Sequence, residues 1–131
     1  MLKNIIIKSD GGKDVQVPMR SDASIPRLYR MKFKRDILVD IGRLADKFQN
    51  AKTQSAQIAA MGPADLEMFE DLAYMFAKHA DPKVPEDPNE WLEQFATFSI
   101  YEIFPQIQDL WAENAKVTSI PKKKSGQRSG K

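Results

Sequence analysis

Few side chains in this sequence combine the types and spacing that chemistry needs. His79 is the single histidine, so a catalytic triad or metal site has one imidazole to work with. It closes a helical pattern beside Lys78, where positive charge complements the helix dipole, and that structural reason is sufficient. Asp65, Glu67, Glu70 and Asp71 are the residue types that hold divalent cations or act as acid and base. They open the same helical pattern, where carboxylates complement the opposite end of the dipole. Asp10-Gly11-Gly12 lacks a following GKS/T or GxxG, so it does not read as a phosphate loop. There is no cysteine, which excludes disulfides and thiolate metal sites and makes a reducing compartment the natural reading. The expectation is a protein with no catalytic, metal or cofactor-binding residues, and not an enzyme.

Charge is the next candidate. Residues 1–48 carry a net +5, residues 49–113 a net −9 and residues 114–131 a net +6. Such asymmetry suggests electrostatic contact within the fold or between copies, against the plainer reading of three solvated surfaces. Arg27, Arg30, Lys32, Lys34 and Arg35 crowd one short stretch, and Lys122-Lys123-Lys124 lies in the tail. These could meet phosphates. No helix-turn-helix or zinc-finger pattern accompanies them, and the aromatics do not interleave with them. Nucleic-acid binding is therefore kept as the alternative rather than the first reading.

The elements that position these residues come from periodicity. Leu2 to Lys8 is a strand candidate, Asp10-Gly11-Gly12 a turn, and Lys13 to Val17 an alternating second strand. The hairpin edges are a possible pairing site for another chain. Pro18 to Ile25 reads as a connector, with Ser24 and Pro26 suiting a cap and a first turn. The spacing of Phe33, Ile37, Ile41, Leu44 and Phe48 predicts one continuous helix over 27–49. On that reading the cations crowd a helix N-terminus, against the dipole, which points to a partner for them. The acidic middle segment, another subunit and nucleic acid are the candidates. Gly42 would suit a close helix crossing.

Residues 50–62 read as a second helix or a link. Pro63 to Ala80 reads as a helix with an apolar arc broad enough to touch several neighbours. The proline-rich 81–88 cannot continue it. Asp87-Pro88-Asn89-Glu90 is a capping-box pattern, followed by Trp91, Leu92, Phe95 and Phe98 on one helical face. Ser99 repeats the cap spacing with Glu102, and Ile103, Phe104, Ile107, Leu110 and Trp111 continue an apolar stripe past Pro105.

Asp87 to Trp111 holds both tryptophans and more bulky apolar surface than any other stretch. It is either the heart of a core or a groove for an amphipathic helix, with Met61, Met68 and Met75 adding adaptable surface. Trp91, Phe95 and Phe98 read as core against Phe69 and Phe76. Ile107, Leu110 and Trp111 read as a partner-facing edge. The fold expectation is mainly α: an N-terminal β-hairpin and a compact bundle of four to five helices over 1–113, then a disordered basic tail over 114–131. The apolar run Ile5 to Ile7 is too short for a signal peptide or membrane span, so a cytosolic protein is expected.

Several of these segments together resemble a known family. Pro26-Arg27-Leu28-Tyr29-Arg30 with Phe33-Lys34-Arg35-Asp36 looks like the first helix of tail assembly chaperones from siphophages and prophages of Gram-positive bacteria. Asp65-Leu66-Glu67-Met68-Phe69-Glu70 with Leu72-Ala73-Tyr74 resembles their central helix. Trp91-Leu92, Phe95, Phe98-Ser99-Ile100-Tyr101, Pro105-Gln106-Ile107 and Leu110-Trp111 are similar to their C-terminal helices. The resemblance covers nearly the whole chain and rests on order and spacing, since no single motif is diagnostic.

It implies an assembly factor in the host bacterial cytoplasm that binds the tape measure protein, keeps it soluble until tail tube protein polymerises around it, and is absent from the mature virion. It also implies a homo-oligomer without a membrane. A longer form made by ribosomal frameshifting near Lys122-Lys123-Lys124 would bring in the tail tube protein. Arg27, Arg30, Arg35, Ile107, Leu110 and Trp111 are the expected protein-binding residues. A nucleic-acid-associated regulator and a permanent particle subunit are the competing readings.

Overall fold

A computed structural model of the chain describes residues 2–7, 14–50, 53, 55–56, 59 and 61–118, with side chains as far as residue 112. The architecture is mainly helical with an N-terminal hairpin. Strands β1 (Leu2–Ile7) and β2 (Val15–Arg20) pair antiparallel, with Ile5 opposite Val17 and Lys3 opposite Met19. Period-two alternation puts Ile5, Ile7, Val17 and Met19 on one face, and all four are buried. The second strand runs three residues beyond the expected end, through Pro18. The turn at 10–12 lies outside the described residues.

The hairpin edges differ from the expectation of a pairing site. Gln106 donates from its side-chain amide to the Ile6 carbonyl at 2.9 Å and accepts the Ile6 N–H at 2.9 Å. Ile6 therefore points its backbone groups outward, so Ile6/Gln16 is a non-hydrogen-bonded pair. Two residues on, Asn4/Pro18 falls in the same class by the alternation of antiparallel ladders. Pro18 then sits where its missing N–H faces outward. Each edge is interrupted, by a glutamine clip on β1 and by a proline on β2.

The expected long helix over 27–49 is two helices. Helix α1 spans Ile25–Phe33 and α2 spans Ile37–Asn50. Lys34 adopts a left-handed conformation, φ 61°, and ends α1 by donating its N–H to the Arg30 carbonyl at 2.9 Å. Asp36 then starts α2: its carboxylate accepts the Leu38 N–H at 2.9 Å. The apolar spacing is satisfied on both sides of the break, which is why periodicity alone runs the helices together. The break also reverses the dipole argument. Arg30 and Lys32 lie in the last turn of α1, where positive charge is favoured. Ser24 stands at the start of α1 without capping it; its hydroxyl donates to Asp22 at 2.6 Å instead.

Helix α3 (Pro63–Ala80) is the centre of the molecule and packs on β2, α1, α2 and both following helices. Met68, Phe69, Leu72, Ala73, Tyr74, Met75, Phe76 and Ala77 are all buried, as its broad apolar arc predicts. Tyr74 donates to the carbonyls of Pro85 and Glu86, at 2.6 and 2.9 Å, and so ties the proline-rich connector to α3. Helix α4 (Pro88–Leu92) is a single short turn begun by Asp87, whose carboxylate accepts the Asn89 N–H at 2.9 Å. It stops before Phe95 and Phe98, so these residues do not share one helical face with Trp91. They cluster all the same: Trp91 lies 5.1 Å from Phe95 and 5.4 Å from Phe98 between ring centres, and Phe69 packs on Phe98 at 5.3 Å.

Helix α5 (Ile100–Thr118) follows Ser99 and runs through Pro105. It continues past the expected domain boundary at 113. Phe104 sits between Phe48, 5.0 Å away, and Phe69, 6.4 Å away. The remainder of the expected disordered tail, 119–131, lies outside the described residues, as do 51–52, 54, 57–58 and 60 of the expected helix or link over 50–62. No helix among the described residues is long and apolar enough to cross a membrane.

Candidate partner-binding surface

The residues with chemical potential are mostly occupied by the fold. His79 Nε2 lies 2.8 Å from Asp22 Oδ2 and 3.4 Å from the Ser24 hydroxyl. The three residue types are those of a hydrolytic triad, but the geometry is not. A triad histidine holds its acid through one ring nitrogen and its serine through the other. Here one nitrogen faces both, and the serine hydroxyl donates to the aspartate. The Ser24 hydroxyl bond is the largest of the influences that hold Asp22 down at about 2. The cluster pins the start of α1 to the end of α3.

The acidic cluster at the start of α3 separates into structural and exposed members. Asp65 is buried, accepts the Gly62 N–H at 2.9 Å, and pairs with Arg43 at 2.9 Å and with Lys47. Burial pushes its carboxyl up, but the bonds from Lys47, Gly62 and Arg43 overcome that and hold it near about 2. Asp71 is buried too, and burial raises it despite the opposing Arg35 guanidinium. Glu70 is raised by partial burial and by its neighbours Asp71 and Glu67. No group of three or more metal-ligating side chains gathers among the described residues.

Of the expected binding residues, Arg35 turns inward. Its guanidinium bonds Asp40 at 2.9 Å, Asp71 at 2.7 Å and the Tyr29 hydroxyl at 3.0 Å. Tyr29, fully buried, donates to Asp40 at 2.6 Å. Burial works against the Arg35 charge, and these bonds more than offset it, so its pKa is raised. The acidic middle segment supplies one partner for this cation, Asp71, and the basic first segment supplies the other, Asp40. The helix break makes the network possible, because Arg35 lies in the turn and reaches back between α1 and α3.

Ile107, Leu110 and Trp111 are not an edge. Ile107 and Leu110 are wholly buried in the core, and Trp111 is half-buried against Phe76 at 6.4 Å. The apolar face of α5 covers β1 and α3, so its proximity to the basic tail in sequence does not leave it open. Phe76, expected under Trp91, packs instead beneath Trp111.

Arg27 and Arg30 remain exposed, with Lys34 beside them. None of the three has an ion-pair partner among the described residues. Helical geometry places Arg27 and Arg30 on one side of α1, next to Met31, which is 60% exposed, and Lys34 follows directly at the helix end. On the other side of Met31, Leu28, Lys32, Met75, Lys78 and His79 complete a groove of about 430 Å³ between α1 and α3. Its walls are fixed: Lys32 donates to the Glu86 carbonyl at 3.0 Å, and Lys78 donates to the carbonyls of Pro82 and Val84 at 3.1 and 2.7 Å.

Further apolar exposure lies on α2 at Leu38 and Val39 and on α3 at Leu66. A side chain at Gly42 would meet nothing within 4 Å, so no helix among the described residues crosses there. The groove at Met31 escaped sequence reasoning because the expected helix over 27–49 merged α1 into a single stripe. The signal that would have found the break is Asp36, an N-cap residue directly before an apolar run. Compared with known proteins, the chain matches no family model, no curated protein and no solved structure.

Proposed function

We propose that this protein is a phage tail assembly chaperone, which binds the tape measure protein, keeps it soluble and promotes tail tube assembly in the host bacterial cytoplasm. The resemblance of its helical segments to that family motivates the reading. The observation that carries it is the open apolar groove at Met31 beside Arg27, Arg30 and Lys34, which have no ion-pair partner among the described residues, on a small helical domain where His79, Asp65, Asp71 and Arg35 are bonded internally. Exposed methionine on a fixed scaffold suits reversible capture of varied apolar helices. On this reading the chain acts as a homo-oligomer, stays out of the mature virion, and has a frameshifted longer form that engages tail tube protein. Coexpression tests it: the tape measure protein should move from the insoluble to the soluble fraction when this chain is present.

The same exposed cations favour a second reading, a nucleic-acid-associated phage regulator. Titration with duplex DNA and with RNA at rising salt separates the two. Affinity that falls linearly in log–log salt would favour the regulator; no measurable binding removes it.

A further inference from the structure

We propose that the groove between α1 and α3 docks an acidic amphipathic helix of a partner protein, with apolar residues on Leu28, Met31 and Met75 and carboxylates against Arg27, Arg30 and Lys34. This deepens the chaperone reading, on which it rests for the existence of a client, by naming the chemistry of the segment recognised.

Two features of the surface meet at one residue. Met31 is the shared border of the groove and of the cationic side of α1. An apolar helix alone would leave three cations without counter-charge. A phosphate backbone would use the cations and leave the methionine floor uncovered. A helix with carboxylates along one flank of its apolar stripe uses both at once.

The pattern of internal bonding agrees. The cations in the groove walls, Lys32, Lys78 and His79, are each held by backbone carbonyls or by Asp22. Arg27, Arg30 and Lys34, beside it, have no ion-pair partner among the described residues. The groove walls are thus bonded within the fold, while the cations beside it are left for a partner's charge. Helix α1 is nine residues long, which matches about two to three turns of a bound helix. A second copy of this chain fits less well. Its acidic stretch at Glu86, Asp87, Glu90 and Glu93 surrounds Trp91, which is buried and gives no apolar anchor, and the exposed Leu66 beside Glu67 is one apolar residue rather than a stripe.

The test uses the full chain and a labelled synthetic peptide of about four helical turns. Leucines form one stripe and glutamates flank it. Fluorescence anisotropy gives affinity, and methyl spectra of labelled methionines give the place. The acidic amphipathic peptide is expected to bind, to shift the Met31 and Met75 methyls, and to leave Met68 unmoved. Met31→Ala should weaken binding about tenfold, as loss of a buried anchor does. Arg30→Glu should weaken it and flatten its salt dependence.

Equal binding by a peptide of the same composition in scrambled order would overturn the proposal, because charge alone would then suffice. So would methyl shifts at Met31 produced by a DNA oligonucleotide instead of the peptide, or by self-association on raising protein concentration alone. Absence of shift at Met31 and Met75 would overturn it as well. If coexpression solubilises the tape measure protein while the peptide fails here, the groove is wrong and the chaperone reading stands. If the peptide binds and coexpression fails, the groove serves another acidic partner.

Discussion

Arg35 and Arg30 lie five residues apart in one basic stretch, yet the fold treats them oppositely. Arg35 sits in the break between α1 and α2 and bonds Asp40, Asp71 and Tyr29. Arg30, in the last turn of α1, is exposed and has no ion-pair partner among the described residues. A cluster of like charges in a sequence is therefore not one surface. The member at the helix break is structural, and the members on the helix face are available. The difference follows from the left-handed Lys34, which turns the next residue toward α3.

Breaking the inward member should have the largest effect. Arg35→Ala leaves Asp40 and Asp71, both buried, without their shared cation. Unfolding free energy should fall by about 3 kcal/mol, the usual cost of removing one partner of a buried pair. Asp71→Ala should cost less, because Arg35 keeps Asp40. The double variant should fall by less than the sum of the two. Denaturant unfolding of the four chains checks this, and additive losses would mean the pair does not interact.

The hairpin gives the next effect. Gln106→Ala should cost about 1 kcal/mol, by leaving the half-buried Ile6 backbone groups without their partner. It should also raise hydrogen exchange at the Ile6 amide well above that of Ile5. Equal protection would show that the glutamine does not hold the strand edge.

Acid should separate two kinds of carboxylate. The folded pKa values of Asp22 and Asp65 are lowered from 3.8 to about 2, so their stabilisation is present above about 4 and is lost as pH falls toward 2. Asp71 and Glu70 are raised, so protonating them on the way down from neutrality favours the folded state. The midpoint of thermal unfolding should hold or rise as pH falls from neutrality toward 4, then drop between pH 4 and 2. A steady decline from pH 7 would contradict the burial of Asp71.

The smallest stability effect belongs to the outward member. Arg30→Glu should change unfolding free energy by no more than about 0.5 kcal/mol, as surface substitutions do. That makes it the usable probe of binding, whereas charge reversal at Arg35 would confuse binding with folding. A large loss of stability in Arg30→Glu would mean the cation is paired after all.

Much of the fold was legible because its signals are local. The three isoleucines with the alternating Val15 and Val17 identify the hairpin. Pro63 and the apolar arc identify α3, and Asp87-Pro88 marks α4. What periodicity could not carry is backbone geometry. An apolar residue every third or fourth position continues across the break at Lys34, so the spacing reads as one helix although the chain turns. The same limit hid the Met31 groove, which lies between α1 and α3 as separate helices. Ile107 and Leu110 show the converse error: closeness to a basic tail in sequence says nothing about burial. Their apolar periodicity was the better guide, and it points to core.

The most direct test of the account is coexpression with the tape measure protein, scored by the soluble fraction, for the unaltered chain and for Arg30→Glu. The account predicts a soluble tape measure protein with the unaltered chain and a loss of that protection with Arg30→Glu, at unchanged thermal stability of the variant. A tape measure protein equally insoluble with and without the unaltered chain would contradict it.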